Sequence, residues 1–166
     1  ISHPSRESIM QTLALSRAPV IASHSSARAL TDHSRNLDDE MLLALKGNGG
    51  VIQTVAFGTY VSELRRAHWA SGGDFADAPP ATISDFVDHI DYMVDLIGIE
   101  HVGISSDFDG GGGLIGWDNA SETFNVTSEL VRRGYTEEEI ELMWSGNLLR
   151  VLDDVQRIAQ EIQNEA

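Results

Sequence analysis

The sequence predicts an α/β protein with parallel strands, and three observations carry that reading. Short apolar runs alternate with longer amphipathic stretches about four times along the chain. Strands separated by helices pair in parallel, because parallel neighbours need a crossover and a helix supplies it. Polar clusters follow each apolar run, where the strand ends of such a sheet or barrel converge on one face.

The elements follow in order. Ile1-Ser2 reads as the end of a clipped strand. From Ser5 to Ser16, Ile9, Leu13 and Ala14 recur at helical spacing, Pro19 stops the pattern, and Val20-Ile21-Ala22 reads as a buried strand. Asn36 to Lys46 opens on a cap-like Asn and an acidic turn, turns Leu42 and Leu45 inward, and ends at Gly47. Val51 to Phe57 is strand-like, and the Gly-, Pro- and Asp-rich stretch from Gly58 to Ala81 reads as a loop. Phe86, Ile90, Met93 and Ile97 mark one face of a helix from Ser84 to Ile97, and His101 to Ile104 forms the next strand. Helices are then expected from Ser121 to Arg133, after the capping box Thr136-Glu137-Glu138-Glu139, and from Asn147 to about Ile162, with Leu148, Leu152, Val155 and Ile162 in register.

Composition narrows the function. In 166 residues, 11 Lys+Arg against 26 Asp+Glu give a formal charge of −15, which would repel a phosphate backbone, so neither nucleic acid nor an anionic membrane surface is an expected partner. A hydrophobic share of 42% is that of a folded domain. No apolar run approaches the roughly 20 residues needed to span a bilayer. With no cysteine there is no disulfide, thiolate ligand or thiol nucleophile, so any metal must sit on His, Asp or Glu. Ile1-Ser2-His3-Pro4 has neither an initiator Met nor a signal-peptide pattern, as expected of numbering that begins inside a longer chain.

The polar residues after the strands are Ser2-His3-Pro4, Ser23-His24-Ser25-Ser26, Thr59-Tyr60 and Ser106-Asp107-Phe108-Asp109. His3 and His24 lie 21 positions apart, a suitable length for one strand-helix repeat, so both imidazoles can face one mouth. Two neutral imidazoles can hold one zinc, although a zinc site usually has three protein ligands and no third is evident. A lone His after a strand is more often a hydrogen-bonded surface residue than a ligand; two at matching ends, with an Asp at a third, bring the readings near balance. Asp107 to Asp118 fails as a calcium loop because Gly110 stands fourth instead of sixth. Gly110 to Gly113 lacks the Lys-Ser/Thr ending of a phosphate loop. The triplets at Asn119 and Asn125 match a glycosylation pattern common by chance. His89 is a structural or surface histidine, His33 and His68 carry no assignment, and Trp69, Trp117 and Trp144 are packing or pocket-wall groups.

Four stretches together carry a family resemblance: Leu15-Ser-Arg-Ala-Pro-Val-Ile-Ala-Ser-His-Ser-Ser-Ala27, Ser34-Arg-Asn-Leu-Asp-Asp39, Gly103-Ile-Ser-Ser-Asp-Phe-Asp-Gly110 and Gly146-Asn-Leu-Leu-Arg-Val151. In order and spacing the chain resembles the membrane (renal-type) dipeptidases, peptidase family M19. The resemblance implies a (β/α)8 TIM barrel of the metal-dependent hydrolase type, with two zinc ions bridged by a carboxylate and a hydroxide. Residues 1–166 resemble the C-terminal half of that single barrel domain, strands 5 to 8 plus the C-terminal helices. His3 and His24 match zinc ligands of strands 5 and 6. Asp107 matches the strand-8 aspartate placed to shuttle a proton, Arg35 the arginine at the substrate's free carboxylate, and Tyr60 a pocket-lining tyrosine; Asp109 would order its loop.

The implied activity is hydrolysis of dipeptides by a zinc dipeptidase with the bridging hydroxide, the fragment carrying half the site, inactive alone and holding at most one weakly bound zinc. The implied alternative is a non-catalytic half-barrel that needs a partner or the missing N-terminal half, its open strand edges favouring another chain, a second copy included. The absent cysteines and the polar last helix point to a bacterial-type soluble relative, cytoplasmic or periplasmic.

Overall fold

The computed structural model describes residues 1–165, with Phe75 described by its backbone alone. Helix α1 (Arg6–Leu15) leads to strand β1 (Ile21–Ser25), α2 (Asp39–Asn48) to β2 (Val51–Val55), and α5 (Ile83–Ile97) to β3 (Val102–Ser105), with the short helices α3 (Gly58–Val61) and α4 (Glu63–Ala70) between β2 and α5. Helices α6 (Phe124–Arg133), α7 (Glu137–Glu141) and α8 (Asn147–Glu165) close the chain, the last two joined by a π turn at Leu142–Gly146. The three strands form one parallel sheet in the order β1-β2-β3.

Each crossover helix follows from local chemistry. Ser5 caps α1 through the Ser8 amide, and Ile9 and Leu13 are buried, whereas Ala14 is exposed and does not belong to the stripe. Asp38, and not Asn36, caps α2 by accepting from the Met41 amide; Leu42 and Leu45 point inward as expected. The helix runs past Gly47 to Gly49, whose φ of +80° is the left-handed ending that glycine adopts without a Cβ penalty. Thr82 and Asp85 form a capping box on α5, which buries Phe86, Ile90, Met93 and Ile97 on the sheet. The expected box at Thr136 and Glu139 is also present.

Three further expectations change. Ile1-Ser2 is not a strand among the described residues, although it runs beside β1: the Ile1 nitrogen donates to the Ile21 carbonyl, and Ser2 Oγ accepts from the His24 amide. The segment from Gly58 to Ala81 is not a plain loop, because Ser62 caps α4 through the Arg65 amide; α4 buries no residue, and so lacks the apolar stripe that would announce it. The register in α8 is real but its stripe is mostly uncovered: Leu149 and Leu152 are 56% and 50% exposed, and with Leu148, Val155, Pro19 and Val20 they line an apolar face beside β1. No described helix is long and apolar enough to cross a membrane.

Candidate active site

Parallel strands bring their C-terminal ends to one side, and the polar residues gather there. His24 is the penultimate residue of β1, Arg35 lies in the connection from β1 to α2, Tyr60 sits in α3 just after β2, and Asp107 follows β3. His3 precedes the N-cap of α1, held there because Ser2 is tied to β1.

The two imidazoles converge. His3 Nε2 and His24 Nε2 are 2.8 Å apart, and Arg35 Nη2 lies 3.2 Å from the same His3 nitrogen. A guanidinium can only donate, so His3 Nε2 accepts, and His24 Nε2 then donates to it. His24 Nδ1 is left to accept from the Ser23 hydroxyl at 2.8 Å, so the serine before His24 fixes its ring from behind. Partial burial is the main force holding the His24 imidazole below its ordinary pKa; Arg35 and His3 push the same way, and the nearby Asp107 carboxylate opposes them.

Arg35 is oriented from three further sides. Its Nε donates to the Ser2 carbonyl at 2.8 Å, its Nη1 lies 3.4 Å from the Tyr60 hydroxyl, and its guanidinium carbon stands 5.5 Å from the centre of the Tyr60 ring. Asp107 adopts φ 53° and ψ 30°, the one non-glycine residue at positive φ among those described. Its carbonyl accepts from the amides of Gly110 and Gly112, at 2.9 and 2.7 Å, and this backbone turn orders the loop while Asp109 is exposed. A Cβ at Gly112 would come within 2.1 Å of the Ser106 carbonyl, so the turn requires glycine there.

His33, without an assignment in the sequence, acquires one, and Asn36 and His89 acquire sharper ones. The His33 ring packs tilted against Tyr60 with ring centres 4.4 Å apart, and its Nδ1 accepts from the Arg35 amide. Asn36, almost fully buried, accepts from the Ser26 amide and donates to the carbonyls of Thr31 and Tyr60. His89 is structural: its Nδ1 accepts from the Ala27 amide, and burial drives its pKa down to about 4. Nearness to Arg35 in the chain was the only signal that either of the first two belongs to the site. Trp117 is buried against Phe86, Phe108 and Trp144, while Trp69 lines an open cavity.

The donor set suits zinc in kind, with two imidazoles meeting at their Nε2 atoms and one ring braced by a hydroxyl. In number it is short: among the described residues, no group of three or more His, Asp or Glu side chains is arranged to hold a metal.

The chain matches the family model for membrane dipeptidase (peptidase family M19) over residues 1–166. It is 40% identical over 166 residues to Dipeptidase ataJ of Aspergillus terreus, covering 99% of this chain and 38% of that relative. It is 36% identical to Dipeptidase 3 of Rattus norvegicus, covering 97% of this chain and 30% of that one. The crystal structure of the probable dipeptidase PvdM from Pseudomonas aeruginosa superposes with a TM-score of 0.85 at 38% identity, over 95% of this chain and 50% of that chain. A metallo peptidase from Rhodobacter sphaeroides, solved with a phosphinate mimic of the dipeptide L-Ala-D-Ala, superposes with a TM-score of 0.80 at 25% identity over 92% of this chain and 41% of that one. The chain thus spans well under half the length of these curated relatives and half of the Pseudomonas chain.

Proposed function

Because the chain belongs to the membrane dipeptidase family, peptidase family M19, we propose that it is the C-terminal half of a (β/α)8 barrel and carries half the site of a zinc-dependent dipeptidase. One observation supports this above the rest: His3 and His24 meet at their Nε2 atoms, 2.8 Å apart, beside a guanidinium that also reaches Tyr60. Imidazoles paired only for packing would not need both ring edges aimed at one point on an open rim.

In this reading His3 and His24 hold one zinc. Zinc, when bound, supplies Lewis acidity toward a carbonyl and makes water a better nucleophile at neutral pH. The chain's own groups do the rest. Asp107, whose charge is felt at His24, takes the proton of the attacking water and passes it to the departing amine. Arg35 binds the substrate's free carboxylate, for which a planar fork of donors is matched, and that contact restricts cleavage to short substrates. Tyr60 holds the guanidinium from its far side and walls the pocket.

The test is an assay of the full-length protein, with zinc supplied, against a panel of dipeptides, alongside zinc content per chain. Turnover of dipeptides with two zinc ions per chain is expected. Absence of turnover on every member of the panel, in zinc-loaded folded protein, ends the peptidase reading.

The uncovered apolar face of α8 and of residues 19–21 favours a second reading, a non-catalytic half-barrel whose face is covered by another half or another chain. Residues 1–166 expressed alone would then bind at most one zinc weakly and associate; on the enzyme reading, adding the N-terminal half restores activity.

A further inference from the structure

The turn after β3 holds three consecutive glycines that follow Asp109, and the first of them differs from the other two. Gly111 has φ 96°, so it is required by its backbone conformation, and Gly112 is required by the Ser106 carbonyl beside it. Neither reason applies to Gly110. Its φ lies outside the left-handed region, it ends the short 3-10 turn Phe108–Gly110, and its amide donates to the Asp107 carbonyl at 2.9 Å. Alanine can hold that backbone. What a Cβ at this position would meet is the Asp107 side chain, with Oδ1 at 2.4 Å, Cγ at 2.9 Å and Oδ2 at 3.1 Å. The three nearest atoms thus belong to one carboxylate, which fills the space that a side chain at 110 would need.

We propose that Gly110 is a positioning residue: the gap left by its missing Cβ is where the Asp107 carboxylate lies, and this gap sets where the proton acceptor stands. The inference rests on the proton-shuttle reading of Asp107 and deepens it. The left-handed backbone at Asp107 turns the chain back, and the Gly110 and Gly112 amides close that turn on the Asp107 carbonyl, which brings residue 110 against the side chain of residue 107. Ordinary contact with a Cβ begins near 3.4 Å, so a side chain at 110 would make the carboxylate withdraw by about 1 Å, by rotating about its own bonds while the backbone stays. A misplacement of about 1 Å at a reacting group can cost about 10²-fold in rate. Folding is affected far less. Only the half-buried end of one short side chain has to yield, and alanine in place of glycine at an ordinary φ restricts the unfolded chain.

The experiment uses the full-length, zinc-loaded protein and compares the wild type, Gly110→Ala, Asp107→Asn and the double variant on one dipeptide. Gly110→Ala is expected to lower kcat by about 10²-fold, with KM, zinc content and thermal midpoint close to those of the wild type. Added to Asp107→Asn, it is expected to remove nothing further, because no proton acceptor is left to displace. A second readout needs no turnover. In crystal structures of the wild type and Gly110→Ala, the carboxylate is expected to differ in position by about 1 Å or more while the backbone of residues 105–113 superposes. A kcat near the wild-type value in Gly110→Ala, where Asp107→Asn has lost its own, overturns the positioning role. So do losses that multiply in the double variant, or a carboxylate that keeps its place beside the added Cβ. If Asp107→Asn keeps most of its kcat, or if no dipeptide is cut, the reading of Asp107 fails on its own account; a carboxylate displaced in the crystal then still upholds Gly110 as the residue that sets that side chain.

Discussion

Asn36 donates from Nδ2 to the carbonyl of Tyr60 at 2.8 Å. A buried amide next to Arg35 in sequence therefore holds the backbone of the residue whose hydroxyl meets Arg35 in space. The same side chain accepts from the Ser26 amide and donates to the Thr31 carbonyl, so it fastens the connection after β1 to the helix after β2.

Replacing Asn36 with leucine keeps much of the volume and removes the hydrogen bonds. Each buried group left unpaired costs about 1–3 kcal/mol. Thermal or urea unfolding is expected to show a loss of that order, and the surviving folded protein a raised KM for dipeptides with a smaller change in kcat if Arg35 is the carboxylate clamp proposed above, because Arg35 and Tyr60 shift while the imidazole pair stays tied to Ser2 and Ser23. A fall in kcat alone contradicts this.

His89 predicts a pH dependence of stability. Its pKa is lowered from the ordinary 6.5 to about 4, with burial the leading cause and Val61, Asp88 and Asp85 acting in the opposite sense. The unfolded chain then takes up a proton at His89 near pH 6.5 and the folded chain only near pH 4, so this group's contribution is intact above the unfolded value and is lost as the pH falls between the two. The loss is on the order of 3 kcal/mol at the bottom of that window. Unfolding curves at pH 7 and pH 4.5 are expected to differ more for the wild type than for His89→Gln. An equal acid sensitivity in the two proteins assigns the effect to other groups.

Some of this was legible in the residues and some was not, for physical reasons. Alternation announced the sheet, since Ile52 and Val102 in the strands and Leu42, Leu45, Phe86 and Ile90 in the helices are buried where their spacing put them. Chain order at strand ends announced that His3, His24, Tyr60 and Asp107 would share one side. Helix α4 was hidden because it buries nothing, and a periodicity argument reads only what faces a core. Asn36 resembled a helix cap because it stands before an acidic turn. The competition between it and Asp38 is decided by tertiary contacts to Ser26, Thr31 and Tyr60, which no local window contains. The bracing of Arg35 by His33 was likewise set by a fold-back of the loop, not by a pattern in the sequence.

Asp107→Asn is a clean probe of proton transfer. Asp107 stands at φ 53°, a region that asparagine also occupies with little strain, so the substitution preserves the turn closed by Gly110 and Gly112. Asparagine cannot accept and release a proton. A drop in kcat of about 10²–10⁴-fold is expected, with unchanged zinc content. A variant that keeps most of its kcat removes the shuttle role from Asp107.

The assignment of Arg35 to the substrate carboxylate has a rival within the structure itself, because the same guanidinium donates to His3 and to the Ser2 carbonyl. Arg35→Met alone cannot separate these roles, since it removes all the contacts together. A cycle pairing that variant with a dipeptide whose C-terminus is an amide does separate them. A charge-assisted hydrogen bond contributes about 1.5–3 kcal/mol, so kcat/KM for the free dipeptide is expected to fall by about 10–100-fold in Arg35→Met. The wild type is expected to lose a similar factor on the amide, and the variant to lose little more when it meets the amide, because guanidinium and carboxylate act on each other. If instead the two losses multiply, Arg35 acts through His3 and the loop after β1, and the residue that reads the carboxylate lies elsewhere.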